Sequence, residues 1–240
     1  MFIRLALRNL FLVTISVISG CAFLPNVELD KSNASSIRKI AMLEIKPPRS
    51  IEVENFGVTA ELFGLVGWLA EKAATNRSEI FQKALADQQV PITAHLRTSI
   101  EDNLRNQKYE VSYLNGQQSS RENDAEGDYA DVETDADVLL NVWITQFGYI
   151  SPKHWSIYIP YVVVRARMVD AKTRKEVYFK TYVCGWGRER GDPDHVLPTE
   201  TFPSFDVMMT SFTAASAGLL ACETGIAKLI GRDLKSSAVD

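Results

Sequence analysis

Histidine and cysteine are scarce in this chain, with three of each among 240 residues. A catalytic or metal centre needs such groups within reach of one another, and the sequence contains no GxSxG elbow, HExxH motif, P-loop or dinucleotide fingerprint. Basic residues are also outnumbered, with 26 Lys and Arg against 30 Asp and Glu, whereas a nucleic-acid-binding domain needs a basic face. These absences predict a chain that is not an enzyme, holds no cofactor and binds no nucleic acid.

Long apolar runs are missing beyond the N-terminus. Residues 1–21 contain Arg4 and Arg8, then an apolar run that closes with Ile18-Ser19-Gly20-Cys21. The run has about ten apolar positions, whereas a membrane-spanning helix needs roughly twenty. A charged start, a short apolar core and small residues before a cleavage site are typical of a secretory signal peptide. No later segment has the length of a span, so the sequence predicts no second crossing of the membrane.

The end of this signal resembles the lipobox of bacterial lipoproteins, in which the residue after cleavage is a lipid-carrying cysteine. The resemblance implies removal of residues 1–20 and three acyl chains, palmitate among them, on Cys21. The alternative is an ordinary signal with a chance cysteine. Because Ala22 rather than Asp follows, the Gram-negative pattern implies the outer membrane. Residues 21–36 are polar and predict a flexible, lipid-anchored tether.

The remaining residues, 37–235, predict a single α/β domain. Alternating apolar residues predict strands, and apolar residues at three- and four-residue steps predict helices. Their order predicts helices packed on a mixed sheet, with an antiparallel C-terminal hairpin and a long closing helix. The predicted strands cover 37–45, 109–114, 138–145, 157–169 and 176–186, and the predicted helices begin at Ser78, at Pro91 and near Met208.

Two segments depart from this alternation. Residues 115–134 are acidic and nearly free of aliphatic side chains, which predicts a mobile loop. Residues 56–69 are apolar and rich in glycine. They predict either a buried helix or loop, or a surface that meets a membrane or partner chain. Phe63 and Trp68 would be the partner contacts in the second case.

Cysteines and aromatic residues give no decisive site. Cys184 and Cys222 are predicted as free, buried thiols, with a disulfide as the alternative that an oxidising periplasm allows. The aromatic side chains of the hairpin predict sheet packing, and a peptide or lipid contact surface is the alternative. Trp155 and Tyr158 are the partner contacts chosen from this group, which also contains Tyr161, Tyr178, Tyr182 and Trp186.

A cation site is another possibility in the proline-rich segment before the last helix. Asp192, Asp194 and His195 place two carboxylates and an imidazole close together in sequence, a set that can bind a metal ion. Asp is also common in proline turns because its side chain accepts hydrogen bonds from the neighbouring backbone. We predict no metal here. His95, in the helix that begins at Pro91, is predicted as a helix-side residue without a role.

Three stretches of the domain resemble periplasmic α/β domains of envelope lipoproteins. The pattern is similar to that of the TolB amino-terminal domain and the curli-secretion lipoprotein group, in which an Ala-Asp-Val-Leu-Leu strand precedes a Val-Asp-Ala-x-Thr-Gly hairpin. Ala136–Leu140 matches the first motif, and Val169–Thr173 matches most of the second, with Arg174 in place of glycine. The resemblance implies a non-catalytic envelope domain that assembles with other proteins. The three stretches are IRKIAMLEI, the helix running into YEVSYL, and DADVLLNVWITQF with its hairpin.

The sequence therefore predicts a lipoprotein of the cell outer membrane that faces the periplasm. It would be a non-catalytic binding or assembly component of a cell-envelope complex, with the membrane and envelope proteins as its partners. One alternative is a homo-oligomeric secretion component, supported by residues 56–69. The other is a periplasmic metal-dependent hydrolase that uses Asp192, Asp194 and His195.

Overall fold

The computed structural model describes residues 26–55, 65–119, 128–152, 157–186 and 191–235, and gives the backbone alone for residues 31–33 and 65–74. Within these ranges the chain forms seven strands and five helices. The strands are β1 Lys39–Leu43, β2 Glu52–Asn55, β3 Glu110–Leu114, β4 Val138–Ser151, β5 Ile159–Asp170, β6 Glu176–Gly185 and β7 His195–Val196. The helices are α1 Lys31–Ser36, α2 Leu65–Asp87, α3 Ile92–Asn106, α4 Phe205–Thr210 and α5 Phe212–Leu234.

All seven strands belong to one mixed sheet, in which six follow the order β3-β1-β4-β5-β6-β7 and β2 lies off this path. The short strand β2 pairs with the second half of β4, on the same edge of β4 that β1 occupies in its first half. β4, β5 and β6 are antiparallel neighbours, and the remaining pairs are parallel. The predicted fold class is confirmed, including the antiparallel hairpin of β5 and β6 and the long closing helix.

One face of the sheet, the inner face, carries the helices and the main core. Alternation along β4 places Val138, Leu140, Val142 and Ile144 in this core, as predicted. Helix α3 packs on it through Leu96, Ile100 and Leu104, which recur every four residues and are fully buried. Burial of these two apolar stripes fixes how α3 lies on the sheet.

The C-terminal helix differs from the prediction by one break. Helix α4 ends at Thr210 and α5 starts at Phe212, so Ser211 separates what the pattern predicted as one helix. Ser204 is the N-cap of α4, since its Oγ accepts the Val207 backbone N–H at 3.2 Å. α5 is long and apolar enough to cross a membrane by composition alone, but here it packs into the core. The predicted stripe is buried throughout, at Met208, Phe212, Ala215, Leu219, Cys222, Ile226 and Ile230.

The opposite, outer face of the sheet contains a second small core. Tyr129, Val132 and Ala136 are buried against Leu43 and Leu139. Tyr129 and Val132, two of the few apolar side chains of the predicted mobile loop 115–134, thus cover this end of the sheet, and the mobility of the loop stays a prediction. Residues 120–127 of the same segment lie outside the described residues.

The outer face of the hairpin is partly buried. Alternation places Arg165 and Arg167 of β5 on this face, which a hairpin packed on one side would leave in water, but only 4% of Arg167 is exposed. Its guanidinium lies 4.9 Å from the centroid of the Phe179 ring and 5.6 Å from that of Trp143, and its Nε is 2.6 Å from Glu176 Oε2. Stacking on two rings and pairing with a carboxylate allow this arginine to be buried.

Ser78 does not cap a helix as predicted, since it lies inside the continuous helix α2. Its hydroxyl instead accepts the Val53 backbone N–H at 2.9 Å. This bond satisfies a donor on the outer edge of β2, where no further strand pairs within the described residues.

Candidate functional site

Several predicted site residues fall where the structure gives no side chain. Cys21, Phe63 and Trp155 lie outside the described residues, and for Trp68 only the backbone in α2 is described. Lipidation at Cys21 and partner contacts at the other three therefore stay predictions.

Tyr158 is described, and it is not a surface contact. Only 4% of the residue is exposed, and its backbone N–H and C=O both pair with Phe202. Its hydroxyl lies 3.3 Å from Arg77 Nη1. The prediction of Tyr158 as a partner-binding residue is wrong, because this ring is part of the core.

The remaining hairpin aromatics separate into two groups. Tyr178 and Tyr182 are fully buried on the inner face, and their hydroxyls are hydrogen-bonded to each other. Tyr161 and Trp186 lie on the outer side, with ring centroids 6.4 Å apart and Trp186 44% exposed. Sheet packing is thus confirmed for the first pair, and the second pair is the part of the group that a partner can reach.

Of the predicted cation candidates, Asp194 belongs to a network of ion pairs. Asp194 is 5% exposed, and its Oδ1 lies 3.0 Å from Lys180 Nζ and 3.1 Å from Arg232 Nη2. Asp192 Oδ1 accepts the Asp194 backbone N–H at 2.8 Å, the turn interaction that the proline-rich sequence predicted. His195 Nε2–H donates to the Gly185 carbonyl at 2.6 Å. No group of three or more His, Cys, Asp or Glu within the described ranges could hold a metal ion.

Lys180 is the centre of this network. Its side chain is 7% exposed, and its Nζ also lies 2.9 Å from Asp233 Oδ2, on α5, and 3.3 Å from Glu28 Oε1. Burial acts against ionisation of Asp233, but hydrogen bonds from Lys180, Arg232 and Tyr182 lower its pKa overall. The network ties β6, the turn before β7 and the end of α5 together, and it includes a residue from the N-terminal segment.

That N-terminal segment, residues 26–30, lies along β6. Val27 and Phe179 exchange two backbone hydrogen bonds of 2.8 and 2.9 Å, and Leu29 packs against the main core. α1 follows directly. Residues 21–36 were predicted as a flexible tether, but from residue 26 onward the chain is in contact with the domain.

The two remaining cysteines form a disulfide. Cys184, near the end of β6, is bonded to Cys222 in the middle of α5, with Cα atoms 5.5 Å apart. Both are buried, as predicted, but the prediction of free thiols is wrong. The sequence pattern placed Cys184 near the end of a strand and Cys222 on the buried face of a helix. It could not show that this strand and this helix face each other.

A buried carboxylate on α5 was not anticipated. Glu223 is fully buried, and its Oε2 lies 2.9 Å from Nδ1 of His95 on α3. Its other oxygen, Oε1, has no hydrogen-bond partner among the described residues. Burial raises the pKa of Glu223 to about 7, although the contact with His95 acts in the opposite direction. The signal in the sequence was a charged residue on the buried stripe, one turn after Leu219.

An open depression of about 630 Å³ lies where the end of α2 meets α4 and α5. Its walls contain Gln88, residues 209–214 and Ala217, and none of these side chains titrates. It therefore offers neither an acid, a base nor a metal ligand.

Comparison with known proteins gives a likeness of fold. Neither a family model nor a curated protein matches this chain. A protein of family DUF330 from Xanthomonas campestris is similar at 11% identity and a TM-score of 0.45, over 84% of this chain and 86% of that one. The PelC dodecamer from Paraburkholderia phytofirmans is similar at 12% identity and 0.40, over 88% and 96%. A lipoprotein from Neisseria meningitidis is similar at 13% and 0.26, over 73% and 95%. With identities and TM-scores this low, these matches carry no argument about function.

Proposed function

We propose that this chain is an exported lipoprotein of the bacterial outer membrane, anchored through Cys21, whose periplasmic domain is a non-catalytic binding or assembly component of an envelope complex. The observation that carries the proposal is the disulfide between Cys184 and Cys222. Structural disulfides persist in oxidising compartments such as the periplasm and are rare in the cytosol. The bond and the signal-like residues 1–21 are independent features, and both support export.

The attachment of residues 26–30 to β6 supports an anchor that holds the domain close to a bilayer. Six residue steps separate Cys21 from Val27, and an extended chain of that length reaches at most about 20 Å. If Cys21 carries lipid, the edge of the sheet at β6 stays within that distance of the membrane surface. A domain held in this way can assemble with other envelope proteins but cannot travel between membranes.

The non-catalytic role is supported by how the polar clusters are used. Asp194 is neutralised by Lys180 and Arg232, and the depression near Gln88 holds no titratable group. The Glu223 carboxylate is buried on α5 and contacts His95 of α3, whose side chain is 30% exposed. Asp194 and Glu223 thus each have a structural partner in the folded domain.

Mass spectrometry of the protein from native membranes tests the anchor. We expect the N-terminal peptide to begin at Cys21 and to carry acyl chains, and we expect Cys21→Ala to leave the membrane fraction. An unmodified N-terminus, or a membrane-bound Cys21→Ala variant, would contradict the anchor. The same samples, alkylated before and after reduction, report the disulfide separately.

The mass of the native particle in mild detergent tests the assembly role. A particle that contains other envelope proteins supports a binding or assembly component. A discrete large particle made of this chain alone would instead favour the homo-oligomeric secretion component. A monomer would contradict both.

A further inference from the structure

One row of residues crosses the outer face of the sheet near the exposed aromatic pair. In register across four strands lie Glu52 of β2, Gly148 of β4, Tyr161 of β5 and Gly185 of β6. Trp186 follows directly on β6. Since neighbouring strands lie about 4.8 Å apart, the row is about 14 Å long.

The two glycines leave Tyr161 with bare backbone on both sides. A Cβ at Gly148 would overlap the Glu52 carbonyl oxygen, and one at Gly185 would overlap that of Pro160. Both positions also have positive φ, 152° and 95°. Glycine is therefore required here by the close approach of the strands. The consequence is that Tyr161 has backbone without side chains on both sides, and that its ring lies against the ring of Trp186.

Two carboxylates lie at the β2 end of this row. Glu52 and Glu54 alternate with the core residue Val53, so both face outward on the same side as Tyr161. Ser50 Oγ donates to Glu52 Oε1 at 2.7 Å. Among the described residues, neither glutamate forms an ion pair.

The neighbouring titratable groups respond to this uncompensated charge. Burial and the adjacent Glu52 raise the pKa of Glu54. Burial raises the pKa of Tyr161, and both glutamates add to the effect. Two carboxylates without a cation, beside an aromatic face that is partly open to solvent, are complementary to a positive group.

We propose that the surface formed by Glu52, Glu54, Tyr161 and Trp186 is a docking surface for a basic segment of a protein partner, with its Arg or Lys side chains lying beside the glutamates and over the aromatic rings. A guanidinium or ammonium group would relieve the repulsion between the carboxylates and would be attracted to the π faces. The inference deepens the proposed binding role, but it does not depend on lipid at Cys21.

Binding of a labelled peptide to the purified full chain in non-ionic detergent tests the proposal. The probe is a heptapeptide with glycine and arginine in alternation, and the matched probe replaces each arginine by uncharged citrulline. We expect fluorescence anisotropy to detect the arginine peptide at low salt, with loss of binding at about 0.5 M NaCl, where screening is strong. We expect no binding of the citrulline peptide.

Two charge-matched double variants locate the site. Glu52→Gln with Glu54→Gln should weaken binding by about tenfold or more, as should Trp186→Ala. Glu110→Gln with Glu133→Gln removes the same charge from two exposed positions and should leave the affinity unchanged. Thermal unfolding of all variants checks that each one is folded.

The proposal would be overturned by no binding of the arginine peptide at low salt, by equal loss in the two double variants, or by equal affinity for the citrulline peptide. Binding of an uncharged oligosaccharide such as maltohexaose at Trp186, unaffected by the two Glu→Gln changes in β2, would also overturn it. Because none of these measurements uses the lipid, failure here is distinguishable from failure of the proposed anchor.

Discussion

Reduction of the disulfide between Cys184 and Cys222 should remove a large part of the stability of this domain. The bond closes a segment with a sequence separation of 38, which contains β7, α4 and the first half of α5. Restricting the unfolded chain by a loop of this length is worth about 4 kcal/mol in the chain-entropy treatment. Domains have unfolding free energies of roughly 5–15 kcal/mol in total, so the loss is substantial.

Urea unfolding measures this effect, with the loss of helix and sheet followed by far-UV circular dichroism. The oxidised protein is compared with protein that has been unfolded in reductant and refolded in its presence. Both sulfur-bearing residues are buried, with Cys184 0% and Cys222 1% exposed, so reductant added to the native protein should act only after the structure opens. We expect a loss of about 4 kcal/mol, equivalent to about 8–16 °C in Tm for a domain of this size.

The control is a double variant, Cys184→Ala with Cys222→Ala. Its core lacks both sulfur atoms, so its absolute stability is lower for a second reason, but it should not respond to reductant. A wild-type protein whose stability changes by less than about 1 kcal/mol on reduction would refute the entropic argument. Two free thiols in unreduced, denatured protein, in addition to any at Cys21, would refute the bond itself.

Three further changes test the interior by urea unfolding. Glu223→Gln should abolish a pH dependence of the unfolding free energy. In the wild type the raised pKa of Glu223 stabilises the protein below pH 4.5, and this contribution is lost as pH rises through about 7. The wild type should therefore lose about 3 kcal/mol relative to the variant over this pH range. Lys180→Met should cost about 3 kcal/mol or more, because the buried Asp194 loses a partner, and adding Asp194→Asn should recover part of the loss. Gly185→Ala should cost more than the roughly 1 kcal/mol of Gly116→Ala, since Gly116 has positive φ but open space; equal costs would contradict the close-approach argument.

Long periodic segments explain why much of the fold could be predicted. β4, β5 and α5 each repeat their apolar pattern over ten residues or more, and a repeat of that length determines both the element and its buried face. β2 and β7 have four and two residues, too few for any period. Their pairing depends on the positions of β4 and β6, which a local pattern does not contain.

The polar interior could not be predicted for a related reason. Arg167 lies at a position that alternates with core residues, so its pattern indicated water, but Trp143 and Phe179 on neighbouring strands bury it. Lys180 is on β6, and its three carboxylate partners come from three separate parts of the chain. Such groups become neutralised only when distant segments meet, and single-sequence periodicity carries no information about which segments do so.

β6 connects the proposed anchor to the core. The segment next to Cys21 reaches the domain through two backbone hydrogen bonds to Phe179 and the contact from Glu28 to Lys180. From the same strand, Lys180 bonds Asp233 and Cys184 bonds Cys222, and both partners lie on α5. A pull on lipid at Cys21 would therefore load the contacts of residues 27 and 28 and, after them, the packing of Leu29 against the main core. The disulfide between Cys184 and Cys222 would hold α5 to the sheet even if the N-terminal segment detached from β6.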